Sequence, residues 1–322
     1  EVRDDGLEEA AVFGEVSYDL TPSLTLTAGG RFYIFDYDAV SDVAFRTGQR
    51  HFEGARRTTG FSPKLGLDYR AGDHVSVYAL ISQGHRTGGF NTAGPQSQAF
   101  AGGPSNPARE YEGDTLWNYE VGAKALLWDG RVQARVAAFA ADWRNIQSDQ
   151  FLRNGLSYAV NVGDGDNRGV EIEANWKPTI DLEIRANALL ADPRITRPSA
   201  AFNSRGDAGL PGVPSVSANV NMAWRKPIGR GLNGFVEGSL AYVGASRLTF
   251  DAERRYRMGD YVTGRISTGF ETERWAVVAF VENPFNTAAN TFSFGDPFRL
   301  PEALATTPLR PRTVGITLRL SR

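Results

Sequence analysis

Cysteine is absent from the 322 residues, which excludes disulfides, zinc–thiolate sites and thiol catalysis. Histidine is nearly absent. The three, His51, His74 and His85, are widely spaced, on two expected loops and a short turn. No pair has i,i+4 spacing, so no metal site is expected. Long apolar runs are also missing: the longest clean one runs from Trp275 to Val281. A helix that crosses a bilayer needs roughly 20 such residues, so a helical membrane protein is excluded. Neither sign of charge dominates, and a net charge of −2 gives no electrostatic reason to expect a nucleic-acid partner. The opening stretch Glu1-Val-Arg-Asp-Asp-Gly6 has neither the basic nor the apolar region of an export signal. Any such signal is expected to have been removed or to lie outside this sequence.

What is present is alternation. From Asn118 to Trp128, one face of an extended chain collects Asn118, Glu120, Gly122 and Lys124. The other collects Tyr119, Val121, Ala123, Ala125 and Leu127. That period of two puts alternate side chains on opposite faces of a strand. Arg131, Gln133 and Arg135 oppose Val132, Ala134 and Val136; Glu171, Glu173 and Asn175 oppose Val170, Ile172, Ala174 and Trp176. Thr263, Arg265 and Ser267 oppose Val262 and Ile266, and Thr313, Thr317 and Arg319 oppose Val314, Ile316, Leu318 and Leu320.

A soluble sandwich also alternates, but three further features point to a membrane barrel. The segments often run ten residues or more, against a usual strand length of about five or six. Full charges sit in mid-strand on the polar face: Arg31, Lys64, Asp68, Glu120, Lys124, Arg135, Glu171, Glu173, Arg185, Glu237, Arg265 and Arg319. Aromatics stand near the segment ends: Tyr18, Phe32, Tyr69, Trp117, Trp128, Trp143, Trp176, Trp224, Tyr242 and Trp275. A polar lumen, an apolar lipid-facing band and aromatic girdles produce this pattern, and the twelve charged residues are the candidate lumen lining.

Connections alternate in length. Short ones fall at residues 19–23, 70–73, 129–130, 177–181, 226–230 and 271–274, where Pro, Gly and Asp supply turn chemistry. Long polar stretches, read as loops, fall at about 36–58, 86–113, 145–165, 193–213, 246–258 and 284–309. Short turns on one rim and long loops on the other is the outer-membrane arrangement. The expected fold is all-β, an antiparallel transmembrane barrel portion of about 13 long strands. An odd number of antiparallel strands cannot close regularly, because the first and last would lie parallel. The chain is therefore expected to be a fragment, not closed on itself.

Several segments resemble the TonB-dependent receptors of the bacterial outer membrane. They are Phe61-Ser-Pro-Lys-Leu-Gly-Leu-Asp-Tyr-Arg70, the stretch Val75 to Asn91, Tyr119-Glu-Val-Gly-Ala-Lys124, and Asn161 to Glu173. Val281-Glu-Asn-Pro-Phe285 and Pro311-Arg-Thr-Val-Gly-Ile-Thr-Leu318 continue the series in family order. The resemblance implies a barrel of about 22 strands with a plugged lumen, of which residues 1–322 would be the C-terminal part, without the plug or the TonB-contacting segment. It also implies outer-membrane lipid around the wall, a plug domain in the full-length receptor and a TonB complex reached through the N-terminal part. A scarce large solute of ferric siderophore, cobalamin or glycan class would be captured at the extracellular loops. Phe90, Phe100, Tyr111, Phe151, Arg153, Phe202 and Arg205 are the candidate solute contacts. Family members commonly end in an aromatic residue; Arg322 departs from that. A passive porin-like channel and a surface-binding structural barrel are the alternatives.

No catalytic residues and no cofactor are expected. Asp164-Gly-Asp-Asn-Arg-Gly169 has acids at positions one and three of a calcium loop, but Asn175 stands at twelve and Arg168 at a ligand position. A polar loop leading into a strand is the preferred reading. No Gly-x-Ser-x-Gly elbow occurs. Glu171 and Glu173 share a face about 7 Å apart, and arginines on neighbouring strands make a charge ladder the preferred reading over an acid/base pair.

Overall fold

The computed structural model describes residues 1–45, 48–91, 110–151, 157–199, 209–210, 212–229, 231–247, 257–295 and 304–320. Among these there is no helix, and one sheet of 13 antiparallel strands dominates. The strands are β1 (Val2–Thr21), β2 (Leu24–Phe45), β3 (Gly48–Arg70), β4 (Val75–Arg86), β5 (Asp114–Leu127), β6 (Val132–Phe151) and β7 (Ser157–Thr179). They continue as β8 (Leu182–Pro198), β9 (Val216–Gly229), β10 (Leu232–Val243), β11 (Tyr261–Glu271), β12 (Trp275–Glu282) and β13 (Thr313–Leu320). Each strand pairs with its neighbours in sequence, and β1 does not pair with β13, so the sheet is open as expected.

The short connections fall where turn residues require them. Asp129 and Gly130 have φ of 53° and 79°, and the Arg131 amide donates to the Trp128 carbonyl at 3.1 Å. Positive φ at both central residues is the hairpin turn whose twist matches the flanking strands. At the other end, three small ribbons cap the sheet: Gly89–Phe90 with Glu110–Tyr111, Ser246–Arg247 with Arg257–Met258, and Asn290–Gly295 with Leu304–Pro308.

The stretches 36–58 and 145–165, read as loops, are mostly strand. β2 and β3 pair continuously from Leu24↔Tyr69 to Phe45↔Gly48, and β6 pairs with β7 as far as Phe151↔Ser157. The strands rise past the apolar band into a region where the parity inverts: along β2, Asp36, Asp38 and Asp42 take the outer face while Ala39 and Val43 are buried on the inner one. The backbone pairing continues through the change. His51 and His85 accordingly sit in strands β3 and β4. Asp164–Gly169 lies within β7 as well, neither a calcium loop nor a polar loop. Asp164 pairs with Arg197 at 3.0 Å and Asp166 with Arg168 at 3.2 Å.

The sheet's two faces differ sharply. One row of hydrogen-bonded neighbours runs Tyr18↔Leu26↔Leu67↔Ala79↔Val121↔Ala138↔Val170↔Leu190↔Val216. Another runs Val132↔Trp176↔Ile184↔Met222↔Gly238↔Ile266↔Val281↔Val314. Val121, Ile266 and Ile316 on this face are more than half exposed. Continuous exposed apolar surface on this scale is not tolerated by soluble monomers. Packed interior occurs instead at the long-loop end, where Ile146 and Val162 are buried among Trp143, Val160, Ile195 and Leu210.

Candidate functional site

Strand pairing carries all twelve predicted charged residues to the other face. The row Asp68↔Tyr78↔Gly122↔Ala137↔Glu171 crosses five strands, and Ser76↔Lys124↔Arg135↔Glu173↔Asn187 lies beside it. Arg31 faces Ser62 and Lys64 faces Gly29 and Ser82 on the same side. Arg185, Glu237, Arg265 and Arg319 join through Arg185↔Asn221↔Ser239↔Arg265↔Glu282 and the flanking pairs Glu237↔Ser267 and Ala276↔Arg319. A cavity of about 650 Å³ lies against this face, lined by side chains from β3 to β8. Side chains of six successive strands converge on one hollow only on the concave side of a curved sheet. The polar face is the inner wall.

Charge on this wall is paired across strands. Lys64 reaches Glu15 at 2.7 Å over the intervening β2, and Arg31 pairs with Glu9. Arg135 lies 3.4 Å from Glu120 and 3.9 Å from Glu173. Arg225 joins Glu237 and, at 2.7 Å, Glu271; Glu271 also takes Arg319 at 3.7 Å, and Arg265 meets Glu282 at 2.6 Å. The expected charge ladder therefore forms around Glu173. It does not reach Glu171 or Asp68, which have no ion-pair partner among the described residues. The sequence reading missed Glu9, Glu15, Arg225, Glu271 and Glu282. Their strand parity and opposite charge were the available signal.

Aromatic rings on the same wall also escaped the sequence reading. Tyr78, Phe139, Phe235 and Phe280 each lie over a glycine of the next strand: Gly122, Gly169, Gly269 and Gly315. Arginines cover three of them from above. Arg135 stands 5.9 Å from the Tyr78 ring, Arg225 5.5 Å from Phe235 and Arg265 4.7 Å from Phe280. The glycine makes room for a flat ring, and the ring's negative face attracts the cation. The Tyr78 hydroxyl, held over Gly122, accepts from Arg135 at 3.1 Å and donates to Glu120 at 2.5 Å.

Of the aromatics placed near strand ends, Trp143 departs from the outward girdle. It pairs with Leu116 and Gly165 on the inner side, and its indole N–H donates to Asp114 at 3.0 Å. Asp114 is 2% exposed and also accepts from Arg86 and, at 3.2 Å, from the Gln147 amide. Gln147 donates to the carbonyls of Thr87 at 2.9 Å and Glu112 at 3.0 Å. This knot ties the roots of the connection after β4 to β5 and β6. Close by, Phe90 is 3% exposed, packed against Tyr37 and Phe52. Tyr111 is half-buried over Gly89, and burial pushes its phenol above the usual range. Phe90 thus offers its ring to packing, and Tyr111 presents the more accessible surface. Phe100, Arg153, Phe202 and Arg205 lie outside the described residues, as does the Phe151 side chain. His85 stacks on Tyr33 at 3.5 Å and shares a 3.0 Å hydrogen bond with Ser62, a packing role.

Among known proteins, the pesticin receptor of Yersinia pestis is 27% identical over 273 residues, covering 80% of this chain and 35% of that protein. The pesticin receptor of Yersinia enterocolitica is 28% identical over the same shares. The chain thus spans about a third of the length of these relatives. Of solved structures, the ferric yersiniabactin uptake receptor from Yersinia pestis superposes with a TM-score of 0.79 at 20% identity, over 99% of this chain and 46% of that one. The ferripyoverdine receptor of Pseudomonas aeruginosa superposes at 0.67 and 18% identity, over 99% and 39%. These likenesses concern the fold. A family model for the TonB dependent receptor-like β-barrel matches residues 2–283, and with the open antiparallel wall described above it shows that the chain belongs to that family.

Proposed function

We propose that these residues form a sector of an outer-membrane receptor barrel that takes up a scarce, large solute of ferric-siderophore class with energy supplied through TonB. The carrying observation is a charged, hollow inner wall on a sheet whose outer face is apolar, in a chain of this receptor family. Water-filled lumen and hydrocarbon exterior require that division of faces. In this reading the twelve inner-face residues from Arg31 to Arg319 line the lumen. The rim around Tyr111, with Phe100, Phe151, Arg153, Phe202 and Arg205, contacts solute, and Phe90 supports it.

The remaining wall, a plug and the TonB-contacting segment belong to sequence beyond these residues. Two observations support this: the sheet has two unpaired edges, and the chain covers under half of the solved receptors it resembles. The siderophore class is favoured over cobalamin or glycan because the similar structures include receptors for ferric yersiniabactin and ferripyoverdine. The test is iron-limited growth. Deleting the gene should abolish growth on one ferric siderophore as iron source, and a protonophore should abolish its uptake in the parent strain. Uptake that persists with the protonophore would indicate a passive channel instead. Full conductance of the purified receptor in planar bilayers, as for an open porin, would do the same.

A further inference from the structure

The outer face carries charge of two kinds just above the apolar band. Over β1–β3 it is acidic: Asp4, Glu8, Asp36, Asp38, Asp42 and Glu53 share that face with Arg57 and His51. Over β6–β8 acid and base balance, as an Asp-x-Arg unit on each of three adjacent strands: Asp142–Arg144, Asp166–Arg168 and Asp192–Arg194. Strand pairing fixes their height. The rows Tyr119↔Ala140↔Arg168↔Asp192 and, one step up, Trp117↔Asp142↔Asp166↔Arg194 join them to the stacked Trp117–Tyr119 pair. One step down, the row is Val121↔Ala138↔Val170↔Leu190. Aromatic girdles mark the membrane–water interface of a barrel, so these arginines stand where lipid headgroups begin.

The carboxylates hold these arginines without using them up. Arg144 reaches Asp142 through Nη2 at 2.9 Å, and Arg168 reaches Asp166 through Nε at 3.2 Å. Arg194 gives Nε and Nη2 to Asp192, at 2.7 and 2.6 Å. A guanidinium has five N–H donors, and the remaining ones meet no acceptor among the described residues. The Arg168 side chain is 75% exposed. Arg168 and Arg194 are diagonal neighbours across β7 and β8, about 7–8 Å apart at the backbone. Two long side chains at that spacing can grip one phosphate. Ala140 and Ala138, small residues of β6, leave the wall recessed beside Arg168 and Val170.

We propose that the outer surface of β6–β8 binds the phosphorylated headgroup of an outer-leaflet lipid. Arg168 and Arg194 hold the phosphate, Arg144 flanks it, and the acyl chains lie against Val170 and Leu190. A phosphate presents several acceptor oxygens to planar guanidinium forks. Apolar wall one step below them suits an amphiphile and gives a free anion nothing. The acidic surface over β1–β3 repels the same headgroup, which confines the site to one side of the wall. The proposal rests on the membrane orientation proposed above, with the long loops outward, and not on the solute or its energy source. Growth on a ferric siderophore can succeed while lipid binding fails, and the reverse, so the two readings are tested apart.

The experiment is native mass spectrometry of the full-length receptor in a non-ionic detergent. It is titrated with dimyristoyl phosphatidic acid and, separately, with dimyristoyl phosphatidylcholine. Saturable binding of phosphatidic acid is expected, with phosphatidylcholine at least about tenfold weaker, the scale of one charge-assisted hydrogen bond. Arg168→Gln and Arg194→Gln should each weaken phosphatidic acid about tenfold for the same reason. Arg168→Lys should retain most of the binding, and Arg57→Gln, on the acidic surface, should change nothing. Orthophosphate in large excess should not displace the lipid. Should the neutral variants fail to fold, the unaltered receptor provides the second arm: phosphatidic acid with a photoreactive acyl chain should cross-link to β6–β8 well above β1–β3. Equal binding of the two lipids, displacement by orthophosphate, binding unchanged in both Gln variants, or cross-links spread evenly over the outer face would overturn the proposal.

Discussion

Gly122 has one role that no other residue can fill. A Cβ built there would lie 2.6 Å from the Tyr78 ring, closer than real Cβ contacts come. The ring could not tilt away without releasing its hydroxyl from Glu120 and Arg135. Gly122→Val is therefore expected to destabilise by about 1–3 kcal/mol through overpacking, read as a lower denaturation midpoint. Gly14, where a Cβ would meet nothing within 4 Å, is the contrasting site, and Gly14→Ala should be close to neutral. Asp114 is the other sensitive residue. Asp114→Ala leaves the Trp143 indole and the Gln147 amide without their acceptor inside a buried knot. Each unsatisfied buried donor costs about 1–3 kcal/mol. Hydrogen exchange should accelerate at Gly88–Phe90 and Glu112–Asp114, while the lower parts of β5 and β6 keep their protection. Unchanged exchange at those roots would refute the knot. Neither the ring-on-glycine stacks nor this knot was legible in the sequence, because both depend on which residues stand opposite each other across strands.

At the scale of the strand, legibility followed the solvent. Within the apolar band the two faces contact different media, so hydropathy alternates and β7 could be read from Val170 to Trp176. Above the band the parity inverts. Asp36, Asp38 and Asp42 face outward while Ala39 and Val43 are buried inside, so a search for apolar side chains on the lipid face read this part of β2 as loop. Trp143 was misplaced for a related reason: an aromatic near a strand end looks the same from sequence whether it faces lipid or an inner acid. The division of faces predicts unequal tolerance within β7. Ile172→Arg places a cation on the apolar face and should cost about 2–4 kcal/mol. Glu173→Gln, one residue on, breaks only an exposed pair at 3.9 Å with Arg135, worth at most about 1 kcal/mol. Equal effects in a folding titration into lipid vesicles would contradict the assignment of the faces.

At the scale of the whole molecule, the thirteen-strand count and the open sheet were both readable from turn spacing and strand parity. The long edges of β1 and β13 are unpaired in the sheet, and unpaired strand edges template further pairing. The 322 residues produced alone should therefore associate in detergent with increasing concentration, and a monodisperse monomer over a hundredfold concentration range would argue against free edges. The absence of cysteine from these 322 residues makes the central claim directly measurable, since an introduced thiol is unique among them and any cysteine elsewhere in the receptor can first be replaced by serine. Single cysteines at each position from Val170 to Asn175 in the full-length receptor, carrying a fluorophore, can be quenched from lipid tails or from water. The account predicts strict alternation: Val170, Ile172 and Ala174 quenched by lipid-borne quencher, Glu171, Glu173 and Asn175 by aqueous iodide. Quenching that does not alternate, or that alternates with the opposite parity, would contradict it.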